Sequence, residues 1–398
     1  MSSKLVRKSV ESRKRKNLAR PGKKPGFHAV YGVLFLLVLF AVFFLHIGSP
    51  DRDYSVTEKR ALEALPTLSF NSLRDGSFME DAEEYSAEQF PGRDLLMRLR
   101  TGFSYVLGMR ESNGVYRGRS GQLAERFDEP DPELFEKTAA AVKNFAARHP
   151  SSQTSFLLAP TVGAVAPELL PKDAVNADEN AYIDHFFDSI RGAAAPIDVR
   201  SAFLKAKASG TALYYRTDHH WTTDGAYAAY LEASSVMNFP ARSFSRAVVS
   251  DDFRGSLAAK SGFYAGAADS IAVYTDTDES LKLLLKNEET GETRASLYYG
   301  SALDSADPYE LFFGGNYPML TIESTADSDR TLLVIKDSYA NSFLPFLAGS
   351  YRKITVIDPR YYSRTVDNLF VLENYDDILF LYNAGTLAKD SSLYKVLE

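Results

Sequence analysis

The sequence predicts an α/β protein, a mostly parallel sheet with helices on its faces, carried behind one N-terminal transmembrane helix. Three observations point there. A 19-residue apolar run, Ala29 to Ile47, follows a strongly basic arm. From Val115 onward, short apolar strand-like runs alternate with segments of helical period, the pattern of βα units. With 45% hydrophobic and 24% charged residues in 398, the composition is that of a globular chain.

The basic arm, residues 1–27, holds ten of the 45 Lys and Arg residues and one of the 52 acidic residues, which leaves the rest of the chain acidic. A helix rising about 1.5 Å per residue crosses a ~30 Å hydrocarbon core in about 20 residues. Residues 28–48 therefore read as a transmembrane anchor, with the cationic side in the cytoplasm by the positive-inside rule. The run is longer than a signal-peptide core and ends in His46-Ile47-Gly48-Ser49-Pro50 rather than an A-x-A site, so an uncleaved anchor is expected. The adjacent span explains the basic charges without a nucleic-acid partner. Cysteine is absent, which excludes disulfides, a thiolate nucleophile and Cys-ligated metal.

Residues 49–114 read as a helical connecting region, with apolar residues at Leu95, Leu96, Leu99, Phe103 and Val106 in helical spacing. This arm is expected to pack on the following domain or to space it from the membrane. The domain 115–398 opens with a hairpin turn at Gly118-Arg119-Ser120-Gly121. A helix Pro132 to Arg148, a buried strand Thr154 to Ala159, a helix around Ala181 to Arg191 and a strand Ala195 to Val199 follow. Residues of about 239–325 break the alternation and read as a β-rich insertion, with strand pieces at Ser270–Tyr274 and Ala295–Tyr299. Alternation returns with strand Thr331–Ile335, a helix near Asn341–Ala348, and strands Ile354–Ile357 and Asp377–Tyr382.

Four histidines lie outside the span and its edges, and two of them adjoin the only tryptophan, in Asp218-His219-His220-Trp221. A helix is expected from Thr222 or Thr223, whose hydroxyls can cap it. An Asp two residues before a His can turn its carboxylate back to Nδ1–H and leave Nε2 free to accept a proton, which makes Asp218 and His220 a pair. His149 reads as a helix C-terminal histidine and His185 as a residue on a helix face. The nucleophile candidate is Ser338, after the apolar strand Leu333-Val334-Ile335, where ligands bind in open α/β sheets. An ordinary helix cap explains an isolated Asp-Ser equally well.

The segments Asp218-His219-His220-Trp221 and Lys336-Asp337-Ser338-Tyr339-Ala340-Asn341 resemble the bacterial DHHW protein family, which is similar to the SGNH hydrolase-like domains of alginate and peptidoglycan O-acetyltransferases. The resemblance extends over Glu58-Lys59-Arg60, Gln89 to Asp94, Asn113 to Tyr116 and Phe313 to Pro318. It implies a three-layer αβα fold in permuted motif order, Asp-x-His before the serine. By position it implies that Asp218 orients, His220 is the base and Ser338 the nucleophile. The oxyanion-hole asparagine would fall at Asn383, with Asn316 in a Gly-Gly-Asn turn as a rival. One departure stands out: the glycine usual before Asp-Ser is Lys336. Arg360 could serve as a donor to an oxyanion or a polysaccharide carboxylate, while His219, Trp221 and Tyr339 fall to positioning or substrate contact.

The resemblance implies a membrane-anchored O-acetyltransferase or acetyl-esterase of a cell-wall or exopolysaccharide. It implies no bound cofactor or metal, since the acetyl group, ultimately from acetyl-CoA, would be delivered by a polytopic membrane-bound O-acyltransferase. Two alternatives stay open. One is a non-catalytic SGNH-like scaffold that binds glycan through tyrosines such as Tyr214, Tyr215, Tyr361 and Tyr362. The other is a metal-dependent phosphoesterase using Asp-His-His as ligands, although such sites need further carboxylates and histidines.

Overall fold

The computed structural model describes residues 27–398 except 53, 56–59, 265 and 372–373. The basic arm up to residue 26 and Glu58-Lys59 of the resemblance lie outside the described residues. The chain divides into two compact units, one formed by the N-terminal helix with residues 61–93, the other mainly by residues 94–398.

In the first unit, helix α1 (Phe27–Gly48) contains Val30–Gly48, long and apolar enough to cross a membrane, with its side chains outward. Helices α2 (Phe70–Asp75) and α3 (Ser77–Glu88) follow, α2 begun by a capping box between Ser69 and Ser72. Gln89 holds the extended chain, accepting from Arg52 N–H and donating to Arg52 O and Glu63 O at 3.0–3.1 Å.

In the second unit, α4 (Arg93–Val106) leads into a three-stranded antiparallel sheet of β1 (Glu111–Ser112), β2 (Val115–Arg117) and β3 (Leu123–Glu125). The expected turn at 118–121 joins β2 to β3, closed by Gly118 N–H to Gln122 O at 2.8 Å. Then come α5 (Pro132–Arg148), β4 (Gln153–Ala159), α6 (Glu179–Ser189), β5 (Ala195–Ile197), α7 (Arg200–Ala208) and α8 (Thr223–Val236). Asp131 caps α5, with Pro132 in the first turn, where its missing N–H costs nothing.

The remaining strands are β6 (Phe244–Phe253), β7 (Asp269–Asp276), β8 (Leu283–Asn287), β9 (Thr293–Arg294), β10 (Met319–Ser324), β11 (Thr331–Lys336), β12 (Lys353–Ile357) and β13 (Asp377–Asn383). Helix α9 (Ser256–Ser261) sits between β6 and β7, and α10 (Ser392–Leu397) ends the chain. The eight-stranded central sheet has the order β9-β8-β10-β12-β11-β13-β4-β5. From β12 to β5 every pairing is parallel, while β10, β8 and β9 add on antiparallel.

Alternation along β11 and β13 feeds two cores. Leu332, Val334, Leu379 and Leu381 pack under Phe203 of α7 and Ala226, Ala229 and Tyr230 of α8. Leu333, Ile335, Ile378 and Phe380 face α5, α6 and α10 through Phe145, Ile183, Phe186 and Leu393. This is a three-layer αβα sandwich.

Three local expectations are corrected. The stretch of about 239–325 is β-rich, but only β6 and β7 form a separate two-stranded sheet. Its β8, β9 and β10 extend the central sheet, a non-local pairing that local pattern does not reveal. Ala295–Tyr299 is no strand; its backbone meets Leu311 and Phe313 in a loose pairing with a single bridge at Tyr298–Phe312. In place of a helix over 341–348 there is a 3-10 turn, Ser338–Ser342, then one α-turn, Leu344–Leu347. Pro345 explains the break, because it has no N–H to continue a helix and fits only a first turn.

Candidate active site

The Asp218-His220 segment is a tight loop, pinned where Tyr214 bridges Trp221 and where Thr222 N–H meets Leu213 O at 2.8 Å. Thr222 then caps α8 by accepting from Gly225 N–H. Within the loop Asp218 Oδ1 accepts from both His220 N–H (2.9 Å) and His220 Nδ1 (2.6 Å). His220 Nε2 lies 2.8 Å from Ser338 Oγ. Ser338 opens the 3-10 turn that follows β11, half-buried, at the C-terminal end of a central parallel strand. Its N–H is the first of that turn, one of the donors a helix leaves unpaired. Asp337 caps the turn at Tyr339 N–H (2.9 Å) and, through Oδ2, takes Asn383 N–H from the end of β13 (2.8 Å).

Asp218 and His220 are both buried. Burial alone would push the Asp218 carboxyl up. The positive charge of His220 and His219 and the hydrogen bonds from His220 outweigh it, so Asp218 is held well below the usual carboxylate range. The His220 imidazole is pushed down, to about 4, first by burial and then by the neighbouring His219 charge, against the pull of Asp218. At neutral pH His220 is thus an unprotonated imidazole with Nε2 toward a hydroxyl, the arrangement of a general base. Tyr309 lies flat against its ring, centroids 3.9 Å apart, and donates to Ser338 O at 3.3 Å.

The other sequence candidates take supporting places. Trp221 is fully buried and donates Nε1–H to Tyr339 O (3.0 Å) and Ser342 Oγ (2.9 Å), tying the histidine loop to the serine turn. Tyr339 returns the bond by donating its hydroxyl to His219 O. His219 is half-buried, its Nδ1 2.6 Å from Ser256 Oγ. Asn383 caps the turn after β13, accepting from Gly385 N–H at 2.9 Å and donating Nδ2–H to Ala159 O at 3.0 Å. Asn316 Oδ1 receives Lys336 Nζ (3.1 Å) and Asn341 Nδ2 (3.0 Å). Arg360 grips Asp358 through Nε and Nη2 at 2.9 and 2.7 Å. A cleft of about 340 Å³ is lined by Asp218, His219, Tyr339, Arg360 and Asn383, with Glu125 and Lys389 on its wall. His149 and His185 lie elsewhere, His149 against Asp367 and Phe370 and His185 stacked on Phe135.

Sequence reasoning missed Gly255 and Ser256. Ser256 N–H donates to Asp218 Oδ2 at 2.7 Å, so the carboxylate is held from both oxygens. Gly255 allows that approach, because a Cβ there would stand 2.1 Å from Asp218 Cβ. Nothing in the local sequence Arg254-Gly255-Ser256 signals this; the contact bridges 38 positions.

Asp218, His219 and His220 are the group of described residues close enough to share a metal ion, their ligand atoms within 4.8 Å of one another. The donor set does not fit a two-metal hydrolase. His220 presents Nδ1 to Asp218 and Nε2 to Ser338 at hydrogen-bond distance, and such a site needs several more carboxylates.

Residues 123–286 match the family described as SGNH hydrolase-like domain, acetyltransferase AlgX. A DHHW family protein from Eubacterium siraeum superposes with a TM-score of 0.61 at 21% identity, covering 71% of this chain and 95% of its own. Bacillus cereus PatB1, solved with a sulfonyl adduct, superposes with a TM-score of 0.58 at 19% identity, covering 70% of this chain and 96% of its own. The chain has the SGNH hydrolase-like fold. No curated protein matches it by sequence. The Asp-x-His loop precedes the serine turn in this SGNH-like domain, and the family match covers the loop but ends before Ser338.

Proposed function

We propose that this protein is a membrane-anchored, extracytoplasmic O-acetyltransferase, or the corresponding acetyl-esterase, acting on a cell-wall polysaccharide or exopolysaccharide through an acyl-serine intermediate. The observation that carries the reading is the unbroken relay from Asp218 Oδ1 to His220 Nδ1 (2.6 Å) and from His220 Nε2 to Ser338 Oγ (2.8 Å). The match to an acetyltransferase family supports the acyl group assigned.

In this reading His220 takes the Ser338 proton as Oγ bonds to the acetyl carbonyl carbon. It then gives that proton to the departing group, and Ser338 is left as an acetyl ester. An acceptor sugar hydroxyl, or water in the esterase version, next gives its proton to His220 as it attacks the ester carbonyl. The Ser338–acetyl bond breaks and His220 returns the proton to Oγ. Asp218 holds the imidazole tautomer and stabilises the imidazolium. The Ser338 N–H is the first oxyanion donor, with Arg360 and Asn383 on the cleft wall as further candidates. No metal or bound cofactor enters these steps.

The apolar helix Val30–Gly48 behind ten cations supports an anchor whose N-terminus is cytoplasmic and whose domain lies outside. An acetyl donor derived from cytoplasmic acetyl-CoA then has to cross the membrane, which calls for a polytopic membrane-bound O-acyltransferase as partner. The test is acetyl release from p-nitrophenyl acetate by the detergent-solubilised full chain, with Ser338→Ala, His220→Ala and His219→Ala in parallel. Loss in the first two is expected. Wild-type activity in Ser338→Ala sinks the triad, and glycan binding without any ester chemistry in the wild type assigns a scaffold instead.

A further inference from the structure

Helix α4 (Arg93–Val106) carries an apolar face that no described residue of its own unit covers. Leu95, Leu96, Leu99, Phe103 and Val106 lie along one side at helical spacing, and Leu107 and Met109 continue the patch. Each is between 51% and 81% exposed. Isolated exposed leucines are ordinary, but a contiguous patch of seven large apolar side chains marks an interaction surface. The helix is not loose. Its opposite side is fixed to its own domain by the buried Thr101, whose hydroxyl donates to Ser261 O at 3.2 Å. The Arg98 guanidinium sits 4.4 Å from the Tyr264 ring centre, and Tyr105 meets Phe263 edge-on. The apolar face is therefore presented on a rigid support.

We propose that this face of α4 is an interfacial helix that lies in the surface of an anionic bilayer. The proposal rests on the anchored reading of the preceding section. Four features favour lipid over a protein. Leu, Phe and Val on one face with arginines beside them is the composition of helices that sink into the headgroup and acyl boundary. Arg100 and Arg110 are exposed beside the patch of an otherwise acidic chain, which complements anionic headgroups and lets their stems cover the apolar rim. A second copy docking by two-fold symmetry would bring those arginines against their own equivalents. The same chain also carries a membrane-crossing helix upstream, which raises the local concentration of bilayer around α4.

Because the chain has no cysteine, single-site labelling is clean. The full chain, reconstituted in phosphatidylglycerol–phosphatidylcholine vesicles, is labelled with bimane at Leu99→Cys, Phe103→Cys, the exposed control Lys395→Cys, or Leu37→Cys inside the span. Quenching is then measured with lipid spin-labelled near the headgroup for the α4 and Lys395 labels, and with lipid spin-labelled near the acyl-chain end for the Leu37 label. The α4 labels are expected to be quenched at least twofold more than the Lys395 label, and less so in vesicles without phosphatidylglycerol or in the Arg100→Glu background. A quenched Leu37 label with α4 labels no more quenched than Lys395 overturns the proposal while leaving the anchor intact. Quenched α4 labels with an unquenched Leu37 label uphold the interfacial helix and reject the anchor. Energy transfer between α4 labels of different copies, with no lipid quenching, overturns it in favour of a dimer.

Discussion

Gly255→Ala isolates the contribution of the segment that sequence reading missed. The added Cβ would lie 2.1 Å from Asp218 Cβ, 2.3 Å from Oδ2 and 2.6 Å from Cα. Carbon atoms in contact sit at about 3.5–4.0 Å, so the carboxylate or the 255–256 backbone has to retreat by about 1.5 Å. That retreat breaks the 2.7 Å bond from Ser256 N–H to Asp218 Oδ2. A hydrogen bond to a charged group contributes about 1.5–3 kcal/mol. At 1.36 kcal/mol per tenfold, kcat/KM for p-nitrophenyl acetate should fall by about 10- to 150-fold. The assay is stopped-flow acyl release by the full chain, beside Asp218→Asn and the double variant, with circular dichroism melts to confirm folding. Since Gly255 acts through Asp218, the double variant should be no slower than Asp218→Asn alone. Activity within twofold of wild type in Gly255→Ala, or additive losses in the double variant, would refute the reasoning.

Burial and the His219 charge push His220 down to about 4, and the proposed mechanism uses the unprotonated imidazole. The acid limb of kcat/KM should therefore lie below pH 6.5, with a plateau above it. His219→Ala removes a charge that opposes protonation and should move that limb upward; a limb at 6.5 or above in the wild type contradicts this. Glu179, buried and bonded to the Thr161 N–H and hydroxyl, is pushed up to about 7 by burial. Its folded pKa exceeds the ordinary carboxyl value of 4.5, so its stabilisation is full below pH 4.5 and is lost as pH rises to 7. Glu179→Gln should accordingly gain on wild type in denaturant midpoint between pH 5 and 7, by an amount on the order of 2–3 kcal/mol. Trp221→Phe removes the single Nε1–H shared by Tyr339 O and Ser342 Oγ and should lower unfolding free energy by about 1–3 kcal/mol in urea.

What was legible in the sequence is what is encoded locally. The bounds of α5 follow from Asp131-Pro132 at one end and the last apolar-periodic turn at the other. The Asp218–His220 contact spans two residues, so the chain itself guarantees proximity, and Ser338 follows a strand with the apolar run Leu332–Ile335, whose end is a binding position by topology. What was not legible depends on distant pairing. β8 and β10 lie in a stretch that reads only as a β-rich insertion, because their partners sit across a sheet edge, and Ser256 meets Asp218 only after β6 has turned back. Asn383 and Asn316 illustrate a further limit. Residue type suggests amide N–H donors, but it does not reveal that the amide oxygens tie segments together, accepting from Gly385 N–H and from Lys336 Nζ.

The departure at Lys336, where the resemblance leads one to expect glycine, is a built feature with counterparts on three other segments. The side chain is 2% exposed, and its ammonium donates to Asn316 Oδ1 at 3.1 Å, Asn341 Oδ1 at 2.9 Å and Asp358 Oδ2 at 3.0 Å. It joins the Gly-Gly-Asn turn, the turn that begins with Ser338 and the end of β12. Asp358 is fully buried, and without Lys336 its charge would rest on Arg360 alone. Breaking one partner of a buried ion pair costs about 3–5 kcal/mol, so Lys336→Met should lose about 3 kcal/mol of unfolding free energy, toward the low end because Arg360 remains. Adding Asp358→Asn removes the orphaned charge and should restore part of that loss. If Lys336→Met unfolds at the wild-type midpoint, the ammonium is not what holds these segments together. If the double variant is weaker than Lys336→Met, the cost lies in lost packing rather than in an unpaired carboxylate.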